Sequence, residues 1–246
     1  KVGYDQDRAR DLQNWFCNES ISSTNNQHVL DGMLDFLKHV NVHCEKPYWN
    51  ALTLTAEEDF AVDLIDPNKY TCVISPCSSQ PYGDKYFRSW SINNYLELIK
   101  YLLSRNDIQL ILTGGMSPTE KSYSEQLNMS FNDTVLNLIG KTSIREMAAL
   151  IKHSDIIISP DSGPAHIGTI MGTPVIGLYA MTNPHRSGPY NSTEWLINKY
   201  PEALKKYMDK LPEEVKWGQK IAEPDAMNLI TSDDVIKKIK QLIDHK

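Results

Sequence analysis

The feature of this sequence that most restricts its fold is a regular alternation of short apolar segments with amphipathic segments between residues 70 and 179. Five segments have the length and composition of buried strands: 70–75, 109–113, 135–139, 155–159 and 174–179. The segments between them carry apolar residues at helical spacing, at 92–104, 119–129, 143–153 and 163–171. This alternation predicts an α/β fold in which a doubly wound parallel sheet is covered by helices on both faces.

The loops after these strands indicate where a ligand would bind. Small or polar residues follow each strand, at 75–79, 113–116, 140–142, 159–163 and 180–183. Sheets of this kind bind ligands in a crevice at the carboxyl ends of their strands. Because the five loops lie at the same edge of the predicted sheet, we expect the functional site there.

The rest of the chain divides around this sheet. Residues 1–65 hold two segments at helical spacing, 7–17 and 27–40, and then a mixed stretch that we interpret as the crossing to a second lobe at 66–230. Within that lobe the alternation breaks at 191–230, which predicts an irregular insertion with a helix near 201–210. Residues 231–246 predict a final helix, opened by a capping box at Thr231-Ser232-Asp233-Asp234.

Composition excludes several classes of protein. The 246 residues carry a net charge of −6, which argues against a nucleic-acid partner, because such proteins need basic surface to meet phosphates. No apolar run approaches the roughly 20 residues that span a membrane. The four cysteines form no CxxC pair, so we expect no metal site. Cys72 and Cys77 are interpreted as buried free thiols, with a disulfide as the less favoured alternative.

The segment SPDSGPAH at 159–166 has the pattern of an anion site. Ser162 can cap the helix that follows the strand, and Pro164 suits its first turn. Free N–H groups at a helix start favour a phosphate, and Gly163 lets the backbone approach one closely. His166 can face the same ligand. An ordinary capped helix with a surface histidine explains these residues equally well.

Three blocks in fixed order carry a family resemblance. SPDSGPAHIG at 159–168, MGTPVIGLY at 171–179, and TNP with SGPY at 182–190 closely resemble glycosyltransferase family 9, the family of the ADP-heptose–lipopolysaccharide heptosyltransferases. The resemblance runs from residue 1 to about 190 and returns weakly in the last helix, while 191–230 looks longer than usual. It implies a GT-B type fold, with a nucleotide-sugar-binding C-terminal lobe and part of an N-terminal acceptor lobe.

The resemblance assigns the diphosphate end of the donor to the loop after the first strand. The hydroxyls of Ser78 and Ser79 would bond the pyrophosphate. Arg88, just before Ser89-Trp90, stands where the family usually has Lys and would neutralise the departing diphosphate. The alternatives are turn serines and a solvated surface charge.

The same resemblance assigns the remaining donor contacts. Glu120 would bond the nucleoside ribose, although it could be an ordinary acid of a first helical turn. Thr142 would contact the adenine edge, or could be a helix N-cap. The other positions match diphosphate and sugar contacts, with Asp161 assigned to the sugar hydroxyls: Asp161, Ser162, Gly163 and His166.

The N-terminal stretch resembles the latter part of the family's acceptor lobe. Arg10 aligns with a basic residue that would meet the anionic acceptor, and a structural salt bridge is its alternative. The family's general base is an Asp near the beginning of that lobe. We expect it to precede Lys1, since Asp5 and Asp7 fall too late in the pattern, and we nominate no base.

The function that the resemblance implies is an inverting glycosyltransferase. It would move a heptose from ADP-heptose to the inner core of lipopolysaccharide, without a cofactor. Its lipid A–core acceptor implies peripheral association with the cytoplasmic face of the bacterial inner membrane. Three alternatives remain: a family relative using a different nucleotide sugar, a two-lobed UDP-sugar epimerase, and a nucleotide-sugar-binding module that is inactive as given because the base is missing.

Overall fold

The computed structural model describes residues 1–22, 24–44, 47, 49, 55–78 and 88–244. It contains two compact units, one of residues 1–48 with 185–187 and one of residues 49–184 with 188–246. The sequence-based boundary at residue 65 differs from this division. Helix 58–64 packs on helix 144–153 of the larger unit, so this helix belongs with the sheet.

From β3 to α8, strands and α-helices alternate along the chain. The strands are β1 Val2–Gly3, β2 Glu19–Ser20, β3 Tyr70–Ile74, β4 Ile108–Leu112, β5 Leu136–Asn137, β6 Ile156–Pro160, β7 Val175–Tyr179 and β8 Ile197–Asn198. The helices are α1 Val29–His39, α2 Glu58–Leu64, α3 Ile92–Leu103, α4 Pro118–Phe131, α5 Ile144–His153, α6 Gly163–Met171, α7 Pro184–Ser187, α8 Tyr200–Met208 and α9 Ser232–Asp244.

The larger unit is built on a six-stranded sheet in which every pairing is parallel, in the order β5-β4-β3-β6-β7-β8. The chain builds outward from β3 to β5, then returns beside β3 and builds in the other direction. The sheet therefore has a topological switch point between β3 and β6, and such points form ligand crevices. The predicted doubly wound parallel sheet is confirmed.

Side chains of the strands alternate between two cores. Cys72 and Ile74 enter a core formed with α3, α4, α8 and α9, while Val73 enters a second core formed with α2, α5 and α6. All three side chains are at most 1% exposed. Helices on both faces explain why the strands read as continuous apolar runs.

Helix α6 lies unusually close to the sheet. A Cβ added at Gly168 would stand 2.6 Å from Val175 Cγ2 and 2.8 Å from Ile157 Cγ2. No larger residue fits there without moving the helix. Glycine at this position fixes the distance at which the start of α6 meets the end of β6.

The stretch 191–230 is not an irregular insertion throughout, so that prediction is wrong in part. Residues 197–198 form β8, which pairs with β7 and extends the sheet, and α8 at 200–208 matches the predicted helix. The last helix begins as predicted: Thr231 Oγ1 accepts from Asp234 N–H, and Asp234 Oδ2 accepts from Thr231 N–H.

The smaller unit corrects another prediction. Segment 7–17 forms only a 3-10 turn at Gln13–Trp15, because Asp11 and Leu12 have φ of +52° and +60°, which a right-handed helix excludes. Its apolar residues are consequently exposed. The predicted second helix is present as α1, with the His28 side chain accepting a hydrogen bond from Leu30 N–H at its start.

Cys72 and Cys77 are buried and form no disulfide, as predicted. Within the described part of the chain, no helix is long and apolar enough to cross a membrane.

Candidate functional site

The predicted ligand edge is where the structure collects polar side chains. Loops at this edge follow β3, β4, β5, β6 and β7, and the loops after β3 and β6 flank the switch point. The site is built from two parts that meet at the start of α6: a charged cluster and a cavity.

The loop after β3 is anchored at its far end by Trp90. This indole is fully buried, and its Nε1–H donates to the Ile230 carbonyl at 2.9 Å. Ser78 Oγ accepts from Arg88 N–H at 3.1 Å, and Ser89 Oγ accepts from Ser78 N–H at 3.1 Å. The buried Ser78 hydroxyl therefore holds the backbone of Arg88. Ser79 lies outside the described residues.

The charged cluster joins Arg88 to Asp161. Arg88 Nη1 donates to Asp161 Oδ2 at 2.8 Å, and Thr182 Oγ1 donates to the same oxygen at 2.8 Å. The Asp161 side chain is 10% exposed and that of Arg88 is 28% exposed. Arg88 is thus not a solvated surface charge, and its first partner is a carboxylate rather than open solvent.

The start of α6 keeps its N–H groups uncapped by a side chain, which corrects the prediction for Ser162. Its hydroxyl pairs with Ser159 Oγ at 2.8 Å instead of bonding the helix. Gly163 is exposed, and a Cβ added there would meet nothing within 4 Å. An uncapped helix start facing open space is a suitable place for an anion.

A cavity of about 550 Å³ opens beside this helix start. That volume is in the range of small-molecule sites. Its walls come from the loops after β3, β4 and β5 and from α6, and are formed by Ser75, Cys77, Gly114, Gly115, Met116, Ser117, Pro118, Glu120, Thr142, Ser143, Ile144, Met147, Gly163, Pro164 and Ile167. Glu120, Thr142 and Gly163 are thus brought together, as predicted for one donor site.

Glu120 shapes the cavity wall as a capping residue. Its Oε1 accepts from Gly115 N–H at 2.6 Å, and its Oε2 accepts from Ser117 N–H at 2.9 Å and Ser117 Oγ–H at 2.6 Å. The Ser117 hydroxyl in turn accepts from Glu120 N–H, which completes a capping box. Glu120 is 5% exposed. This structural role is the alternative left open by the sequence, and the predicted ribose contact stays a prediction.

Thr142 is not a helix cap, which removes one of its two interpretations. Ser143 caps α5 instead, with Glu146 completing the capping box. Thr142 is half-buried and lines the cavity. Its hydroxyl is therefore available to a ligand, as the predicted adenine contact requires.

Two other predicted residues lie apart from the cavity lining. His166 is exposed in the first turn of α6, and Arg10 is exposed in the smaller unit. Among the described residues, the Arg10 side chain forms no ion pair. The structural salt bridge that was its alternative is therefore absent from them.

Burial keeps the nucleophilic groups near the site neutral. Burial, with a contribution from Glu120, raises the pKa of the Cys77 thiol to about 12, so this cavity residue is not a thiolate. Burial also raises the pKa of Tyr179 well above its usual value, and Asp161 adds to that shift while Arg88 opposes it. Among the described residues, no group of three His, Cys, Asp or Glu side chains could hold a metal ion.

The sequence did not single out several residues of this site. Ile144 is one of the apolar residues at helical spacing in 143–153, but it is 73% exposed and lines the cavity with Met116 and Met147. Thr182 was noted only as part of a motif block. Its place just after β7, at the ligand edge, was the available signal.

Comparisons with known proteins agree with this geometry. The family model described as glycosyltransferase family 9 (heptosyltransferase) matches residues 1–215. The lipopolysaccharide core heptosyltransferase OpsX of Haemophilus influenzae is 34% identical over 242 residues, which is 98% of this chain and 68% of that protein. Lipopolysaccharide heptosyltransferase 3 of Escherichia coli is 31% identical over 105 residues, covering 42% of this chain and 30% of that one.

Solved structures show the same fold. A family 9 glycosyltransferase from Veillonella parvula superposes with a TM-score of 0.68 at 19% identity, over 100% of this chain and 67% of that one. The E. coli heptosyltransferase WaaC with ADP gives a TM-score of 0.63 at 19% identity, over 98% of this chain and 65% of that one. This chain thus spans about two thirds of the length of these relatives. Because the family model matches residues 1–215 and a relative that is 34% identical aligns over 98% of this chain, the chain belongs to glycosyltransferase family 9.

Proposed function

We propose that this chain binds ADP-heptose at the carboxyl edge of its sheet and belongs to an inverting glycosyltransferase that moves the heptose to the inner core of lipopolysaccharide. The observation that carries the proposal is the meeting of a nucleoside-sized cavity, an uncapped helix start and Arg88 at the switch point between β3 and β6. Family membership and the 34% identity to a lipopolysaccharide core heptosyltransferase support it.

The cavity is suited to the nucleoside. Ile144, Met116 and Met147 provide apolar surface for a flat base, and the Thr142 hydroxyl can donate to it or accept from it. Glu120 is the acidic residue of the same wall. The proposal places the base between the loops after β4 and β5, with the ribose on the Glu120 side.

The diphosphate would lie between α6 and Arg88. The guanidinium has five N–H donors, and the bond to Asp161 uses one of its terminal nitrogens. The remaining donors, with the first N–H groups of α6, can meet the negative charge that grows on the diphosphate as the glycosidic bond breaks. Asp161 and His166 are placed toward the sugar.

Inversion requires the acceptor hydroxyl to attack the anomeric carbon on the face opposite to the diphosphate. A base must take the hydroxyl proton as the new bond forms. No residue described here is assigned that role. Arg10, which is exposed and carries a positive charge, is proposed to meet the phosphorylated acceptor.

The smaller unit supports a peripheral contact with the membrane that holds the acceptor. Leu12, Trp15 and Phe16 are 61%, 79% and 64% exposed, close along the chain to Arg10. Aromatic and aliphatic side chains beside a cation are typical of segments that bind at the lipid headgroup level. Loss of liposome co-sedimentation in a Trp15→Ser, Phe16→Ser double variant would support this contact, and unchanged binding would oppose it.

The activity is tested by mass spectrometry of sugar transfer by the complete protein. With ADP-heptose and heptose-free core as substrates, the proposal expects a mass gain of one heptose, and a large loss of product in Arg88→Ala. Transfer only from another nucleotide sugar would indicate a family 9 enzyme that uses a different donor. Absence of transfer from any donor, with ADP still bound, would favour a binding module.

A further inference from the structure

Three loops at the ligand edge meet at one carboxylate oxygen. Asp161 follows β6, Arg88 ends the loop after β3, and Thr182 lies in the loop after β7. Asp161 Oδ2 accepts one hydrogen bond from Arg88 Nη1 and one from Thr182 Oγ1, each at 2.8 Å. The threonine thus reaches the guanidinium only through the carboxylate.

The hydrogen bond between Thr182 and Asp161 is buried. Thr182 and Asp161 are each 7% exposed, so the carboxylate cannot exchange its protein donors for bulk water without cost. Both hydrogen bonds are at Oδ2, and no described residue donates to Oδ1. Two donors at one oxygen fix the rotation of the carboxylate and, with it, the direction in which Arg88 points.

We propose that Thr182 is a positioning residue for the donor diphosphate. It orients the Asp161 carboxylate, which holds the Arg88 guanidinium beside the start of α6, while Thr182 itself touches no donor atom. The inference rests on the proposed function, since it concerns the same diphosphate. A long side chain that is already ordered loses less rotamer freedom when a ligand binds.

The side chain of Thr182 suits this task. Its branched Cβ limits χ1, so the hydroxyl is aimed before any ligand arrives. Valine has the same shape without the donor and would leave the buried carboxylate with Arg88 alone. Serine keeps the donor but not the branch. The pair of variants separates loss of the hydroxyl from loss of volume.

The test is calorimetric titration of the full chain with ADP and with adenosine. Thr182→Val is expected to weaken ADP binding about tenfold and adenosine binding by less than about twofold, because adenosine carries no phosphate for Arg88 to meet. Thr182→Ser should bind ADP within about threefold of wild type. Equal ADP affinity in wild type and Thr182→Val, or equal losses for ADP and adenosine, would overturn the inference.

A second measurement does not depend on any ligand. In ¹⁵N relaxation spectra, Arg88 Nε should become more mobile in Thr182→Val and stay as in wild type in Thr182→Ser; an unchanged Nε in the valine variant would overturn the positioning role. If wild type binds no ADP, the proposed function fails, while the relaxation measurement still shows whether Thr182 positions Arg88. Should Thr182→Val not fold, Thr182→Ala takes its place in both measurements.

Discussion

Replacement of Arg88 by alanine tests the charged cluster most sharply. The variant loses the cation proposed to meet the diphosphate, and two charge-assisted hydrogen bonds from a group that is 28% exposed contribute about 2–3 kcal/mol in total. That difference corresponds to ADP binding that is weaker by roughly 30–150-fold. Adenosine binding should be nearly unchanged, because the cavity wall does not include Arg88.

The same variant has a stability cost that can be measured separately. Asp161, with a side chain that is 10% exposed, loses its cation and keeps only Thr182, so urea unfolding should show a loss of about 1–3 kcal/mol. Since domains are typically stable by about 5–15 kcal/mol, we expect the variant to fold, so that its ADP titration can be interpreted. Arg88→Lys restores the charge without the fork and should recover most of the ADP affinity.

Arg105 offers a matched control. It pairs with Asp107 at 2.8 Å and its side chain is 31% exposed, close to the values for Arg88, but it precedes β4 at the opposite edge of the sheet. Arg105→Ala should leave ADP affinity unchanged and cost at most about 1 kcal/mol of stability. An Arg88→Ala protein that binds ADP as well as Arg105→Ala does would refute the role assigned to Arg88.

Two further substitutions probe the helix start and the sheet. Gly163→Ala should fold with an equal or slightly higher Tm, because the added Cβ meets nothing within 4 Å. It should nevertheless bind ADP about tenfold more weakly by calorimetry, since the methyl group occupies the path by which the anion approaches. Gly172→Ala, at φ +76°, should lose about 1 kcal/mol of stability and no ADP affinity. Unchanged ADP affinity in Gly163→Ala would contradict an anion at this position. Hydrogen bonds from Lys152, and then from His153, lower the pKa of the Glu58 carboxyl below its ordinary value of 4.5. These bonds therefore stabilise the folded state fully above pH 4.5, and their contribution is lost as the pH falls through the lowered pKa. The difference in unfolding free energy between wild type and Glu58→Gln, measured in urea, should therefore shrink as the buffer is made more acidic than pH 4.5, and a constant difference would show that the ion pairs do not form in solution.

The sequence predicted the sheet well because its strands are buried on both faces. Continuous apolar runs such as 156–158 are typical of strands covered by helices on each side, and α6 was bounded correctly because Gly163-Pro164 marks its start and Gly172 its end. Strand β8 could not be predicted, because a strand of two residues is too short to show an apolar run or an alternation of apolar and polar residues. Segment 7–17 was misread because its helical spacing could not reveal the positive φ at Leu12.

The site was predicted in its residues more than in its bonds. The helix start, Glu120 and Thr142 came from strand ends and from family resemblance, and the structure gathers them around one cavity. The Arg88–Asp161 ion pair joins residues that are 73 positions apart, so no local sequence pattern predicts it. The Ser162 hydroxyl pairs with Ser159 Oγ instead of capping α6, and the local sequence does not predict this either.

The cavity and the charged cluster are proposed to form one site for an ADP-linked sugar. Calorimetric titration of the chain with ADP-heptose and with UDP-glucose measures whether the site prefers such a sugar. We expect ADP-heptose to bind at least about tenfold more tightly, which is a difference of about 1.4 kcal/mol. Equal affinity for the two sugars, or tighter binding of the UDP-sugar, would contradict it.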